Sequence, residues 1–565
     1  MHPSLNLKGA GGNIVKIKAY ARLAMAGAVA TTLATTLAAC GGGGSGSAGS
    51  GTSIPTLNVS LSSSSGSASA TEGATSANLT TTATASGSVS TPVVANLQFD
   101  NTVFSSVTAT AGATAGTYTV TAQTLPNLGG GEYKGNITFR LCEDTGCNTV
   151  YAGSTVTYAY DIVVNLKDWQ TYQRDNAHTG FVHATLDPTK FAKAWQWSPA
   201  ISSAISPVVT GNGRIYFTVQ QPSTTTIGKA SQLTALNETD GSLAFNVDLG
   251  TPYSVGLPSV YNGIAYVGGV STSETGVVTA YDAASGAVLK NFAFPTQWTQ
   301  PYQPTVNNGN IFFEGGEFFT ALYDFNYATG ATTWTGNTVS MIMGSSVNAT
   351  DGTSVYYYNG TALQVFNAAD GTLAKQISDP YQNWNGYDFD SGVMLGATND
   401  AVAYSGTTSF PTNTLNGEHY NARPLVSYGM TTNAITWKGS NAYYTNPAIS
   451  NKVIYVARNN SSSLDAVNEA DGTILWSWTP PAGEVFHRNT IVTDNLVFVS
   501  TDKAVYAISL TDHTSKWSYP MPGTLSLSAN FMLYISADYI QVVPGASTPI
   551  VPARSLGQVV AIKLR

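Results

Sequence analysis

Charge is what this sequence has least of. Asp, Glu, Lys and Arg make up 10% of its 565 residues, and the formal net charge is −8. No stretch carries a basic run, which excludes the electrostatic footprint of a nucleic-acid-binding protein. Histidine is rare, at six residues, and cysteine rarer, at three. An odd cysteine count in an exported chain leaves one without an intramolecular partner. No apolar run reaches the ~20 residues that carry a helix across a bilayer. Gly, Thr, Ser, Asn and Tyr are plentiful instead. Tyr and Thr suit pleated surfaces, and Gly and Asn suit tight turns. The composition predicts an all-β exported protein, and the length predicts two or more domains.

The N-terminus names the compartment. Lys16, Lys18 and Arg22 precede the apolar run "AMAGAVATTLATTLAA", which ends in "LAAC" at Leu37–Cys40. This tetrapeptide resembles a bacterial lipobox. The resemblance implies a signal peptide over 1–39, cleavage before Cys40 and lipidation of that cysteine. Cleavage removes four basic residues and no acids, taking the net charge from −8 to −12. Gly41, where an aspartate is absent, fits sorting to the outer membrane in the lipoproteins this resembles. Residues 40–53, rich in Gly and Ser, read as a flexible tether.

Residues 54–166 alternate apolar and polar with period two in "GTYTVTAQTL", "YKGNITFRLC" and "STVTYAYDIVV". This length suits one sandwich of about seven strands. The segment resembles the immunoglobulin-like modules of bacterial surface proteins. With Cys40 lipidated, Cys142 and Cys147 remain, four residues apart in "LCEDTGC". A disulfide is expected, because a metal site would need further thiols or histidines nearby. The sequons at Asn58, Asn78 and Asn136 carry no glycosylation expectation in a bacterial lipoprotein.

From residue 167 to 565 the chain repeats. One element is a strand, an Asx-Gly turn and a second strand, as in "LTALNETDGSLAF" (233–245), "VVTAYDAASGAVL" (277–289) and "LDAVNEADGTILW" (464–476). A second element, a turn before an apolar strand, alternates with it, as in "PSVYNGIAYV" and "PAISNKVIYV". One four-stranded sheet cannot bury both its faces, whereas a radial array buries each against its neighbours. The last copy, "VVAIKLR" (559–565), lacks its outer strand, and "AKAWQWSPA" (192–200) is a strand without a hairpin partner. Pairing them closes the ring and removes an open edge. The expectation is an eight-bladed β-propeller with one blade made irregular by the insertion at 375–424. The asparagine- and aspartate-rich turns read as turn geometry rather than metal ligands.

The repeat "VYA(L/V/I)xxxDGxxxW" resembles the quinoprotein-like, or PQQ-like, propellers over residues 168–565. More distantly, it is similar to the propeller lipoprotein of outer-membrane assembly. In such proteins a segment like "DWQTYQRDNAHTGF" (168–181) precedes the first propeller strand. One implication is a quinone-dependent dehydrogenase. That activity needs PQQ, calcium ligands, an Asp base and commonly paired cysteines at the cofactor. The propeller here has no cysteine, and "DFDSG" (388–392) matches no calcium loop. No resident cofactor or metal is therefore expected, PQQ with calcium being the alternative, together with other carbohydrate-acting propeller chemistry.

Two candidate sites remain. In the 168–181 cluster, His178 as base oriented by Asp175 offers general-base chemistry. Without a nucleophile or cofactor motif, the cluster reads instead as an anchor for the entering chain. The other site is the propeller face, where outer-to-inner loops carry Tyr253, Trp298, Tyr302, Tyr381, Trp384, Tyr387, Tyr443, Tyr444, His487 and Arg488. Rigid amphipathic rings with an arginine suit contact with a protein or glycan. The functional expectation is a lipid-anchored binding or scaffold protein of the envelope, membrane-attached through its lipid, with an envelope protein or glycan as partner and no nucleic acid.

Overall fold

The structure is a computed structural model. It describes residues 28–30, 56–73, 77–89, 93–201, 203–221, 228, 230–252, 254–271, 273, 275–295, 303–315, 321–337, 347–382, 392–406, 423–443, 445–458, 463–537 and 557–565. Apart from one 3-10 turn, Pro188–Lys190, every regular element among them is a strand. The chain divides into two compact units. The first comprises Met1–Ser69, Thr75–Pro126 and Glu132–Val163; the second comprises Ala70–Ala74, Asn127–Gly131 and Val164–Arg565.

In the first unit, one sheet runs Asn58–Leu61, Asn78–Ser86, Thr117–Thr124, Phe104–Ala111 in spatial order. The other runs Val94–Gln98, Gly131–Cys142, Val156–Asn165, Ser65–Thr71, with Ala28–Ala30 beside Val94–Gln98. Period-two alternation turns one face of each sheet inward: Leu79, Thr81 and Ala83 are buried while their neighbours are not. Phe104 meets Tyr160 edge-on at 4.9 Å, and Tyr118 lies 5.8 Å from Phe139. These rings come from opposite sheets, so the two inner faces pack on each other. Cys142 and Cys147 are joined by a disulfide across the turn at 143–146.

The second unit is a β-propeller. Among the described residues it holds eight sheets built on an antiparallel four-strand plan, to one of which Phe181–Val182 adds a parallel pair. Their inner strands are Val209–Gly211, Ser259–Tyr261, Thr305–Asn307, Ala349–Thr350, Met394–Leu395, Ala448–Ser450, Phe486–Thr493 and Thr524–Leu527. We number the sheets first to eighth in that order. The second strands are buried on both faces because a neighbouring sheet covers each side. Leu496–Thr501 is buried at every residue, and Arg214–Gln220 at all but its first. Outer strands such as Leu243–Asp248 return to alternation, since they meet solvent. Closure follows the expected route: Ala192–Trp197 pairs antiparallel with Gln558–Lys563 and completes the eighth sheet.

The Asx-Gly hairpins are turns. Ser242, Thr372 and Thr473 donate backbone N–H groups to Asp240, Asp370 and Asp471 at 2.9–3.0 Å. Gly241, Gly371 and Gly472 sit at φ +70 to +72°, a left-handed geometry that suits glycine. Each hairpin carries a register shift beside that turn. The same glycines receive a ring from the preceding sheet. Trp195 donates its indole N–H to Glu238 O (2.8 Å), Trp334 to Ala368 O (3.0 Å) and Trp437 to Glu469 O (2.6 Å). A Cβ at Gly472 would stand 2.7 Å from the Trp437 ring. Trp437→Ala removes both the buried ring and its hydrogen bond, and we expect it to lower unfolding free energy by about 3–5 kcal/mol. Equilibrium denaturation checks this; a loss under about 1 kcal/mol would deny these rings a role in joining sheets.

Candidate functional site

The 168–181 cluster is the centre of the ring. Its backbone and polar side chains pass the inner strands in chain order. Trp169 O accepts from Thr210 N in the first sheet (2.8 Å), and Gln170 O from Val260 N in the second (2.8 Å). Asn176 donates its amide to Val306 O in the third (3.0 Å) and accepts at its carbonyl from Thr350 N in the fourth (2.8 Å). Ala177 O accepts from Leu395 N in the fifth (2.8 Å), Thr179 O from Ile449 N in the sixth (2.7 Å), and Gly180 O from Val492 N in the seventh (3.0 Å). Asp168 closes the circuit by accepting from Ala529 N after the eighth inner strand (3.4 Å). A segment this short turns full circle only by bending sharply. Gln173, Arg174 and His178 all have positive φ, at 46, 82 and 59°. Three such non-glycine residues so close together are backbone strain held by surrounding bonds.

The chemistry of the cluster follows from those commitments. His178 is 1% exposed, and its Nδ1 lies 2.6 Å from Val393 O. A carbonyl only accepts, so Nδ1 carries the proton. Burial pushes the imidazole pKa down to about 4. Asp175 does not orient the ring: its carboxylate accepts from Ala177 N, Thr179 N and the Thr179 hydroxyl. The pair is a turn and a strut rather than a dyad. Arg174 forms an ion pair with Glu72 and donates to Lys167 O (3.1 Å) and to Phe181 O. Beside this segment lies a cavity of about 450 Å³, bordered by Glu72, Arg174, His183 and Asp494, with His183 3.7 Å from Asp494.

The face divides differently. Tyr253, Trp298, Tyr302, Trp384, Tyr387 and Tyr444 lie outside the described residues, as does the His487 side chain. Tyr381 is 46% exposed, with the Lys438 ammonium 4.6 Å from its ring centroid. Tyr443 and Arg488 depart from the expectation. Tyr443 is 2% exposed, and its hydroxyl donates to Asp465 at 3.1 Å. Burial, with that carboxylate, holds its phenol above the usual range. Arg488 is 8% exposed, and its carbonyl accepts from Asn446 N (2.8 Å). Both brace the ends of inner strands, where an apolar interior draws in the ring and the aliphatic stem alike.

The acids escaped the sequence reading. Asp465, fully buried, accepts from Arg458 (2.7 Å), Ser463 (2.9 Å) and Ser477 (2.7 Å) besides Tyr443. Asp379 accepts from the Tyr358 hydroxyl (2.8 Å), and Glu484 from Tyr506 and Thr501. Glu238 and Glu469, from "NETDG" and "NEADG", reach the turns of the preceding sheets at Asn530 and Thr398. Burial pushes the Glu238 carboxyl up to about 7. The available signal was a charge at a core position: "LDAV" carries Asp465 where other copies carry Thr, Tyr, Val or Gln. Among the described residues, no three His, Cys, Asp or Glu side chains form a group that could hold a metal. Asp465, Asp379 and Glu484 are committed to hydroxyl and guanidinium partners.

A closed propeller with an axis bound by its own entering chain defines the class. The chain belongs to the PQQ-like propeller family described as outer membrane protein assembly factor BamB, whose model matches residues 229–478 and 425–546, more than half of the sequence. No curated protein matches the chain. Among solved structures, BamB from Moraxella catarrhalis is similar at 13% identity over 66% of this chain and 99% of its own, with a TM-score of 0.46. Quinohemoprotein alcohol dehydrogenase from Comamonas testosteroni is 12% identical over 70% and 80%, with a TM-score of 0.48. A europium-containing methanol dehydrogenase is 12% identical over 70% and 98%, with a TM-score of 0.39.

Proposed function

We propose that this chain is a binding or scaffold propeller of the bacterial envelope, anchored by lipid at Cys40 to the outer membrane. Its contact surface is the set of loops carrying Tyr253, Trp298, Tyr302, Tyr381, Trp384, Tyr387, Tyr444 and His487, and its partner is an envelope protein or glycan. The first unit, read as an immunoglobulin-like module, serves as a spacer between anchor and ring. The observation that carries the reading is the use of polar groups. His178, Asp175, Asp465, Asp379 and Glu484 each hold a strand or turn in place, which leaves structure rather than catalysis as their task. The family supports it through the printed description of its model, an outer membrane protein assembly factor. Among the described residues no helix is long and apolar enough to cross a membrane.

The test uses the full chain expressed in a Gram-negative host. The wild type is expected to sediment with outer membranes and the Cys40→Ala protein to leave them. Envelope proteins or glycans captured by the wild type should be lost on Tyr381→Ala combined with Trp298→Ala and Trp384→Ala, with folding unchanged by circular dichroism. Unchanged capture would remove the face from the reading. Dye-linked oxidation of alcohols or sugars after reconstitution with PQQ and calcium would replace the scaffold by an enzyme.

A further inference from the structure

A slot between the first and second sheets stands open where its counterpart one sheet further on is filled. The sheets share a register, so positions can be matched. Gly269 in the second sheet corresponds to Gly315 in the third. The other sheets carry Val219, Asn359, Ser405, Arg458, Thr501 and Ala537 there. Glycine therefore leaves a side chain's worth of space in just these two sheets. Between the second and third, Phe294 fills it: a Cβ at Gly315 would stand 2.6 Å from that ring, and one at Gly276 would stand 2.3 Å from it. Between the first and second, the matching outer-strand position is Leu249, whose N–H bonds Ser231 O at 2.9 Å. Leucine does not reach. Among the described residues, a Cβ at Gly269 would find a single heavy atom within 4 Å, Ser254 O at 3.8 Å.

The result is a cavity of about 530 Å³. That lies within the ~300–1,000 Å³ usual for small-molecule sites. Its apolar lining includes Leu249, Pro252, Val255 and Val267. Thr279 and Tyr281, 9% and 5% exposed, belong to the same lining. Asp248 and Asn291 also border the cavity and are exposed.

We propose that this slot is a binding site for a free small molecule built on an aromatic ring with a hydrogen-bonding substituent. The chain itself supplies the template, since Phe294 lies over Gly276 and Gly315 in the equivalent space; the open slot presents Gly269 with Ser231 in the place of Gly276. A ring seated on Gly269 recovers the dispersion contacts that Leu249 leaves unmade. Its polar substituent meets the hydroxyls of Thr279 and Tyr281 or the Asp248 carboxylate.

Indole and 4-methylphenol are the probes, titrated by calorimetry into the full chain with saturation-transfer NMR as a second readout. The wild type is expected to bind at least one of them. Leu249→Phe places on the first sheet the ring that Phe294 provides on the second. It should weaken binding by about tenfold or more and raise the melting temperature. Gly269→Leu fills the slot from the other wall and should weaken binding likewise, while Gly315→Ala, at the slot already filled, serves as the destabilised control that keeps binding. No binding by the wild type, or equal binding by wild type, Leu249→Phe and Gly269→Leu, overturns the proposal.

Discussion

Replacing Gln173 by alanine is expected to lower the stability of the propeller by about 3–5 kcal/mol, although the residue touches no partner outside the chain. Gln173 is 3% exposed and lies at the turn of the segment that circles the axis. Its amide nitrogen donates to Pro447 O (2.5 Å) and to Thr490 O (3.1 Å). Its amide oxygen accepts from Asn489 Nδ2 (2.9 Å). Asn489 in turn bonds both backbone groups of Leu525. One side chain thus ties the sixth, seventh and eighth sheets together. Alanine leaves two carbonyls and one amide donor buried without that partner, and each such loss costs about 1–3 kcal/mol. A methyl group also leaves part of the glutamine volume empty. Chemical denaturation reads the loss directly. A double-mutant cycle with Asn489→Ala should return a coupling of about 1 kcal/mol or more, as for residues in one network. A loss under about 1 kcal/mol would mean that the segment rests on the axis without holding it.

The architecture was legible because it repeats. Alternating apolar strands and Asx-Gly turns recur along residues 167–565, and repetition turns weak local signals into a strong one. The hairpin glycines and the pairing of Ala192–Trp197 with the last strand follow from that pattern, whereas the docking of the tryptophans on the next sheet does not. The role of the 168–181 cluster as an anchor was legible, but its path was not. Its bonds are made largely by backbone carbonyls, which leave no trace in residue type. Sequence also misjudged Tyr443 and Arg488, because an amphipathic side chain suits both a wet surface and a buried network. Nothing short of the register separates Leu249 from Phe294. Both are apolar at matching outer positions facing a glycine, and only the distances show that Phe294 reaches Gly315 while Leu249 falls short of Gly269.

Acidification is expected to weaken the ring through His178. The imidazole pKa is about 4 in the folded protein against an ordinary value of 6.5. The folded state therefore binds fewer protons than the unfolded state between those values. Stability from this group is fully present above pH 6.5 and is lost as pH falls through 6.5 toward 4. The loss amounts to about 3 kcal/mol. The physical cause is burial. The ring faces Val393 O and the edge of Tyr172 at 5.0 Å, and the nearby Asp175 charge only partly offsets the cost of ionising it. Glu238 slopes the other way. Its carboxyl, pushed up to about 7 from 4.5, contributes stability below pH 4.5 that is lost as pH rises through 7. A single stability curve mixes the two, so the informative quantity is the difference between wild type and His178→Gln. That difference cancels Glu238 and should shrink by about 3 kcal/mol between pH 7 and pH 4. A difference independent of pH would mean that the ring is already protonated at neutrality or that its pocket admits water. Either result would remove the buried imidazole as the acid-sensitive joint between the axial segment and the fifth sheet.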